Sequence, residues 1–329
     1  MDSFIFAVNA VLPLIAMALV GYLLVRCGMI PEGTARTLNK IVFRIFLPCT
    51  LFLNVYKIES LGGFDFGYIA YALVAMLLIY ALAVPTVMAF TKDGAKRGVV
   101  LQSVFRSNYA LIGIPLATSL CGAAGAEVSA VLSAFAIPVF NVLAVITLSV
   151  FTGEGKRNRV SVKSILIDIA KNPLIESVAL GLIALGVRAI FVNCNISWRL
   201  SEITPLFSVL ESLSAVSTPL ALIALGAQFK FSSIGAMKRE LIFSVMARVV
   251  VVPLVALSVA YLFFDFEAAH FASFIALFAT PVAVSSVPMV QEMGGDTELA
   301  GQVVVWATAA SALTIFLFIF TLRLLGVFY

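Results

Sequence analysis

Two short segments carry most of the polar chemistry that this chain places inside apolar sequence. One reads Arg106-Ser107-Asn108-Tyr109-Ala110-Leu111-Ile112-Gly113-Ile114-Pro115; the other reads Thr280-Pro281-Val282-Ala283-Val284-Ser285-Ser286-Val287-Pro288. Their side chains suit recognition rather than bond making. An asparagine amide donates two hydrogen bonds, hydroxyls donate and accept, and a guanidinium pairs in a fork with an anionic group. A proline inside a helix removes one backbone hydrogen bond and clashes with the preceding turn. Pro115, reinforced by Gly113, and Pro288, reinforced by Pro281 and two serines, therefore predict two broken helices. One proline alone often only kinks a helix, but a matched pair points to a site.

Further candidates surround these segments. Asn108 is the leading binding residue and Arg106 the most suggestive charge, with Ser107, Tyr109 and Gly113 beside them and Asn141, three residues after Pro138, as another buried amide. Ser285 and Ser286 either contribute hydroxyls or cap the interrupted helix. Arg106 either meets an anion or snorkels to the nearby surface. Arg44, Arg248, Glu176 and Glu211 are charges within apolar runs, costly unless paired or wet, and serve either as interhelical pairs or as a proton relay. His270 reads as a surface residue and Asp296 as a helix cap. Cys27, Cys49, Cys121 and Cys194 form no CxxC pair and read as buried, inert thiols. No GxGD, HExxH or Ser/His arrangement lies in the runs, so an enzyme is not expected, nor a metal or other cofactor.

The elements that position these residues follow from composition. Of 329 residues, 62% are hydrophobic and 12% charged, with a mean hydropathy of +1.11. An average soluble domain is roughly half apolar and about one quarter charged. A disordered chain, a nucleic-acid-binding module and an ordinary cytosolic enzyme are excluded, and runs of about 20 apolar residues predict membrane-crossing helices. Ten spans are expected: Phe4–Val25, Leu38–Val55, Tyr68–Phe90, Gly98–Cys121, Val128–Phe151, Asn172–Val192, Leu206–Phe229, Leu241–Phe264, Phe271–Met293 and Ala300–Leu322. Met1-Asp2-Ser3 lacks the basic start of a signal peptide, so the first run reads as a retained helix. Of the 21 Lys and Arg, 14 lie in loops after odd-numbered spans, four on the opposite side and three within spans. The positive-inside rule then puts the central loop in the cytoplasm and both termini outside.

The chain also repeats. Pro13-Leu14-Ile15 and Gly21 match Pro173-Leu174-Ile175 and Gly181 at an offset of 160, and Pro48 of span 2 has a counterpart in Pro219 of span 7. Phe105, Pro115 and Gly122 match Phe278, Pro288 and Gly295 at an offset of 173. Five spans per copy is an odd number, so the second copy is inverted in the bilayer. The expected organisation is an all-α polytopic membrane protein with one repeat over 1–152, a cytoplasmic loop over 153–171 and a second repeat over 172–329. Inverted repeats with discontinuous helices allow two near-equivalent states open to opposite sides, which points to a secondary transporter. The alternative is a ligand sensor that does not transport.

Asn108-Tyr109-Ala110-Leu111-Ile112-Gly113-Ile114-Pro115-Leu116 resembles the span-4 signature of the auxin efflux carrier family, which includes the plant PIN carriers and bacterial malonate or malate carriers. Asn39-Lys40 with Phe46-Leu47-Pro48, Lys171-Asn172-Pro173, Pro219-Leu220-Ala221 with Gly226, and Gly295-Asp296 extend the similarity along the chain. The resemblance implies a fold like the bile-acid symporters and sodium/proton antiporters, in which spans 4 and 9 cross as broken helices. It implies a scaffold of spans 1, 2, 6 and 7 that dimerises, a transport domain of spans 3–5 and 8–10, and elevator-type movement. It also implies a small organic anion as substrate, commonly a carboxylate, with Asn108 beside the crossover. The expected partners are that anion, the cell-membrane bilayer and a second copy, with no nucleic acid.

Overall fold

The computed structural model describes residues 2–31, 33–57, 66–153, 167, 170–194, 196, 198–230 and 234–328. Lys156, Arg157, Arg159 and Lys163 of the expected central loop lie outside the described residues. The described chain is helical, and its only β-type feature is one isolated bridge. The elements are α1 (Asp2–Arg26), α2 (Thr34–Tyr56), α3 (Phe66–Phe90), α4 (Gly94–Phe105) and α5 (Ile114–Gly153). They continue with α6 (Pro173–Asn193), α7 (Thr204–Ala227), α8 (residues 234–263), α9 (Ala268–Phe278), α10 (Ser286–Glu292) and α11 (Thr297–Leu324). Seven helical stretches among the described residues are long and apolar enough to cross a bilayer. One of them, Tyr109–Thr152, has 44 residues, about 66 Å of helix at 1.5 Å per residue and roughly twice the hydrocarbon thickness. It bends at Cys121 and Gly122; Gly122, at φ +60° and ψ −137°, takes a conformation that a side chain would strain.

Three turns are wound in the wider π form: Val42–Phe46, Tyr109–Gly113 and Ala247–Val251. Each ends two residues before a proline, namely Pro48, Pro115 and Pro253. Widening the turn gives room for the pyrrolidine ring, which otherwise meets the carbonyl four residues earlier. Prolines in this chain therefore write local geometry without always stopping a helix: Pro13, Pro85, Pro138 and Pro219 lie inside α1, α3, α5 and α7.

Two packed groups emerge. In the first, α1 lies directly on α7 and α2 on α6. A Cβ at Gly21 would sit 2.0 Å from the Ile223 carbonyl oxygen, and one at Gly226 would sit 1.7 Å from that of Ala18. Helices in lipid gain little from apolar burial against each other, so backbone approach through small residues supplies the contact. Thr50 donates to the Phe46 carbonyl at 2.9 Å and accepts from the Ser214 hydroxyl at 3.1 Å, tying α2 to α7. In the second group, α9 packs along α5, α4 on α5 and α3, and α8 on α9 and α11. An aromatic cluster joins α3, α8 and α9: Tyr71 meets Phe264, Phe266 and Phe274 and donates to the Ala256 carbonyl. The thiols depart from expectation, since Cys27 and Cys194 are exposed at helix ends and Cys49 and Cys121 only half-buried.

Candidate functional site

Helix α4 ends at Phe105 and helix α9 at Phe278, and the chain beyond each loses helical form over residues 106–108 and 279–285. The two interruptions cross. Ser107 and Val282 form an antiparallel bridge, and the Asn108 N–H donates to the Pro281 carbonyl at 2.8 Å. The breaks thus lie earlier than the prolines expected to cause them. Pro115 is the second residue of α5, and Pro288 stands in the first turn of α10. In a first turn the missing N–H of Pro288 would have had no intrahelical acceptor, so proline is tolerated there; Pro115 lies inside the helix that opens at Tyr109, where the π turn makes room for its ring. Pro281 alone lies within an interruption.

Beside the crossing lies a pocket of about 100 Å³. Residues Arg106 to Leu111 line one side, Asn141 and Phe140 of α5 a second, and Ser285 with Ala283 a third. The facing wall belongs to the other helix group: Thr50 and Asn54 of α2, with Ser217 and Thr218 of α7. Arg106 is only 4% exposed. Its Nη2 donates to Asn141 Oδ1 at 2.9 Å and to Ser285 Oγ at 3.0 Å, and its Nη1 to the thioether of Met289 at 2.9 Å. Asn141 is oriented by its own donation to the Ile137 carbonyl at 2.8 Å, the carbonyl that Asn141 would itself donate to as a helical N–H. No carboxylate among the described residues pairs with Arg106. Neutral oxygens and a thioether are weak partners for a buried full charge.

Three polar atoms lining the same pocket are buried without a hydrogen-bond partner among the described residues: Asn108 Nδ2, Ser107 Oγ and Ser217 Oγ. Buried polar atoms are nearly always paired, so three orphans on one cavity mark a place built to receive polar groups. The helix that starts at Tyr109 adds its opening N–H groups, which have no intrahelical acceptor and carry the positive end of the dipole.

Other expected residues do different things. The Tyr109 hydroxyl donates to the Ser129 carbonyl at 3.0 Å and bonds Ser273 Oγ at 2.8 Å, so it fastens α5 to α9. Gly113 allows close approach, since a Cβ there would sit 2.8 Å from the Ala276 carbonyl oxygen. Ser286 is buried with an unpartnered hydroxyl but does not line the pocket. The expected Arg–Glu pairs take other forms. Arg44 meets Glu292 at 3.4 Å, Glu211 meets Lys57 at 2.7 Å, and Glu176 is exposed in the first turn of α6. Among the described residues Arg248 pairs with no acid, and its hydrogen bonds go to carbonyls. Met289, Thr50, Ser217 and Thr218 were not anticipated; the polar pair before Pro219 was the one signal that could have marked the α7 wall.

A family profile described as membrane transport protein matches residues 6–319, nearly the whole chain. The chain belongs to the auxin efflux carrier family of membrane transport proteins. An uncharacterised transporter of Methanocaldococcus jannaschii is 28% identical over 225 residues, covering 66% of this chain and 67% of that protein. As a member of this family the chain is a multi-pass membrane transporter. The first four residues of the span-4 signature that carries the family resemblance, Asn108 to Leu111, line the pocket.

Proposed function

We propose that this auxin efflux carrier family member moves a small organic anion, a carboxylate, by alternating access at the crossing of α4–α5 and α9–α10. The observation that carries the reading is Arg106: a buried guanidinium with no acidic partner among the described residues, beside the unpartnered amide of Asn108 and a helix N-terminus. An anion completes the charge and takes up the free donors. The pocket has one wall in each helix group, so movement of one group past the other carries the site with Arg106 and Asn108 while the α2–α7 wall stays.

The finer organisation belongs to the same reading. Ten spans form two inverted five-helix repeats, supported by Phe105 and Phe278, matched at an offset of 173, each being the last residue of its half-helix. Spans 1, 2, 6 and 7 are a dimerising scaffold against which spans 3–5 and 8–10 move as an elevator. Both termini are extracytoplasmic, following the distribution of Lys and Arg.

Thermal unfolding of the purified full chain against mono- and dicarboxylates, followed by uptake of the best stabiliser into sealed vesicles, tests this. A ligand that binds the folded state raises the midpoint with its occupancy. A carboxylate that raises the midpoint and accumulates in vesicles supports the reading. Saturable binding without any flux under either gradient indicates a sensor instead, and stabilisation by amines or neutral solutes in place of carboxylates refutes the anion site.

A further inference from the structure

We propose that the outward face of α2 is a binding site for an anionic phospholipid, its phosphate held by Arg36, Lys40 and Arg44 and its acyl chains lying along Ile41 and Ile45. The inference rests on the membrane-spanning fold and not on the carrier reading. The three cations recur every four residues and so form one column along the helix, and the next column is Thr37, Ile41 and Ile45. All six are exposed, whereas Ala35, Asn39, Val42 and Phe43 are buried where α2 meets α7 and α10. The π turn over Val42–Phe46 leaves Arg44 and Ile45 on the exposed face.

The cationic column begins in the first turn of α2 and runs along roughly 12 Å of helix at 1.5 Å per residue. It therefore enters the apolar run, where Arg44 stands beside Ile45 with its side chain 63% exposed. A guanidinium that faces hydrocarbon is costly unless it reaches the headgroup layer or draws an anion to itself. Among the described residues the one acid that meets the column is Glu292 of α10, 3.4 Å from Arg44 Nε, and no ion pair involves Arg36 or Lys40. Three positive charges thus face one carboxylate. An anionic phospholipid supplies both missing complements: phosphate oxygens for the two guanidinium forks and the ammonium, and hydrocarbon for the isoleucines. A zwitterionic lipid brings a further cation to a place that already holds three. A second copy of the chain fits poorly, because a two-fold contact sets the same patch against itself and opposes cation to cation. By the distribution of Lys and Arg this end of α2 lies on the side expected to be cytoplasmic, where anionic lipids attract basic segments. The bound phosphate shares Arg44 with Glu292, so the lipid bears on a tie between α2 and α10.

The test uses the full chain, stripped of lipid in a neutral detergent, and reads its unfolding midpoint against mixed micelles carrying dioleoylphosphatidylglycerol or dioleoylphosphatidylcholine. Phosphatidylglycerol is expected to raise the midpoint saturably by several degrees and phosphatidylcholine to leave it nearly unchanged. The combined change Arg36→Gln, Lys40→Gln and Arg44→Gln is expected to remove that preference. Lys92→Gln, Lys171→Gln and Lys238→Gln together take the same charge from exposed positions elsewhere and are expected to keep it. Glu292→Gln, which frees Arg44, is expected to tighten phosphatidylglycerol binding several-fold. Equal stabilisation by both lipids overturns the proposal, as does a preference that survives the α2 changes or is lost equally in the lysine control. Glycerol phosphate, the headgroup chemistry without acyl chains, is expected to do nothing at the same concentration; a full effect from it overturns the lipid assignment. If the triple α2 variant does not fold, Arg36→Gln with Lys40→Gln, both in the opening turns, decides in its place.

Discussion

Asn108 divides its work between backbone and side chain. Its N–H holds the crossing through Pro281 and its C=O accepts from Ile112 and Gly113 at the start of its own helix, while its amide Nδ2 has no partner among the described residues. Removing a buried donor that bonds nothing costs little and can stabilise. Asn108→Ala is therefore expected to leave the ligand-free midpoint unchanged or slightly raised and to abolish the rise produced by a carboxylate. A strongly destabilised variant that still responds to ligand would show the amide to be interhelical glue. Arg106 behaves differently, since Asn141 Oδ1 and Ser285 Oγ depend on it. Arg106→Gln is expected to weaken anion binding by about 10- to 100-fold, the equivalent of roughly 1.5–3 kcal/mol for a charge-assisted bond. Undiminished affinity in a titration of that variant would remove Arg106 from the site.

The helices reach the crossing because small residues and prolines are placed where backbones must approach or widen. Gly226 against Ala18 and Gly21 against Ile223 leave no room for a methyl group. Gly226→Ala is expected to destabilise by more than about 3 kcal/mol, in the class of overpacked cores, read as a large fall in unfolding midpoint. Gly186 of α6 is the internal control, since nothing lies within 4 Å of a Cβ there. Gly186→Ala is expected to be neutral or to stabilise by up to about 1 kcal/mol through helix propensity. Equal effects at the two positions would mean that the α1–α7 contact is looser than its geometry. The π turns follow the same logic, each written by a proline two residues beyond its end, and the third of them holds Arg248 beneath the crossing.

Between the two helix groups, polar contacts gather at the end of α10. Asn39 Nδ2 donates to Gln291 Oε1 at 3.0 Å, Gln291 Nε2 donates to the Arg36 carbonyl at 2.9 Å, and Arg44 faces Glu292. The proposed elevator step, if it carries α10 away from α2, has to break all three. Arg44 is well exposed, so its pair contributes at most about 1 kcal/mol; the part-buried Asn39–Gln291 bond, with Asn39 itself fully buried, is the stronger tie. Gln291→Ala is expected to change maximal flux several-fold while leaving the half-saturating concentration within about twofold, because neither residue lines the pocket. A variant altered only in apparent affinity would place Gln291 in binding and not in movement.

Composition and the spacing of apolar runs were enough to require membrane-crossing helices, because only a helix satisfies every backbone group within its own segment. The paired Pro/Gly segments were enough to draw attention to residues 105–115 and 278–288, and Asn108, Arg106 and Asn141 were all legible as buried polar groups too costly to be incidental. What a linear pattern could not convey was partnership. Arg248 and Arg106 look alike in sequence, each a lone charge in an apolar run, yet one is spent on four carbonyls and the other faces a pocket. Pro115 and Pro288 looked like the breaks, yet Pro115 sits inside its helix just beyond the π turn and Pro288 in the first turn of α10, because the interruptions formed where the two segments cross and bond each other. The pairing of Thr50 with Thr218 across one wall was not legible for the same reason: residues 168 positions apart become neighbours only when α2 packs against α7. Burial cost is a local property that a sequence displays, whereas the choice of which donor meets which acceptor is made by packing.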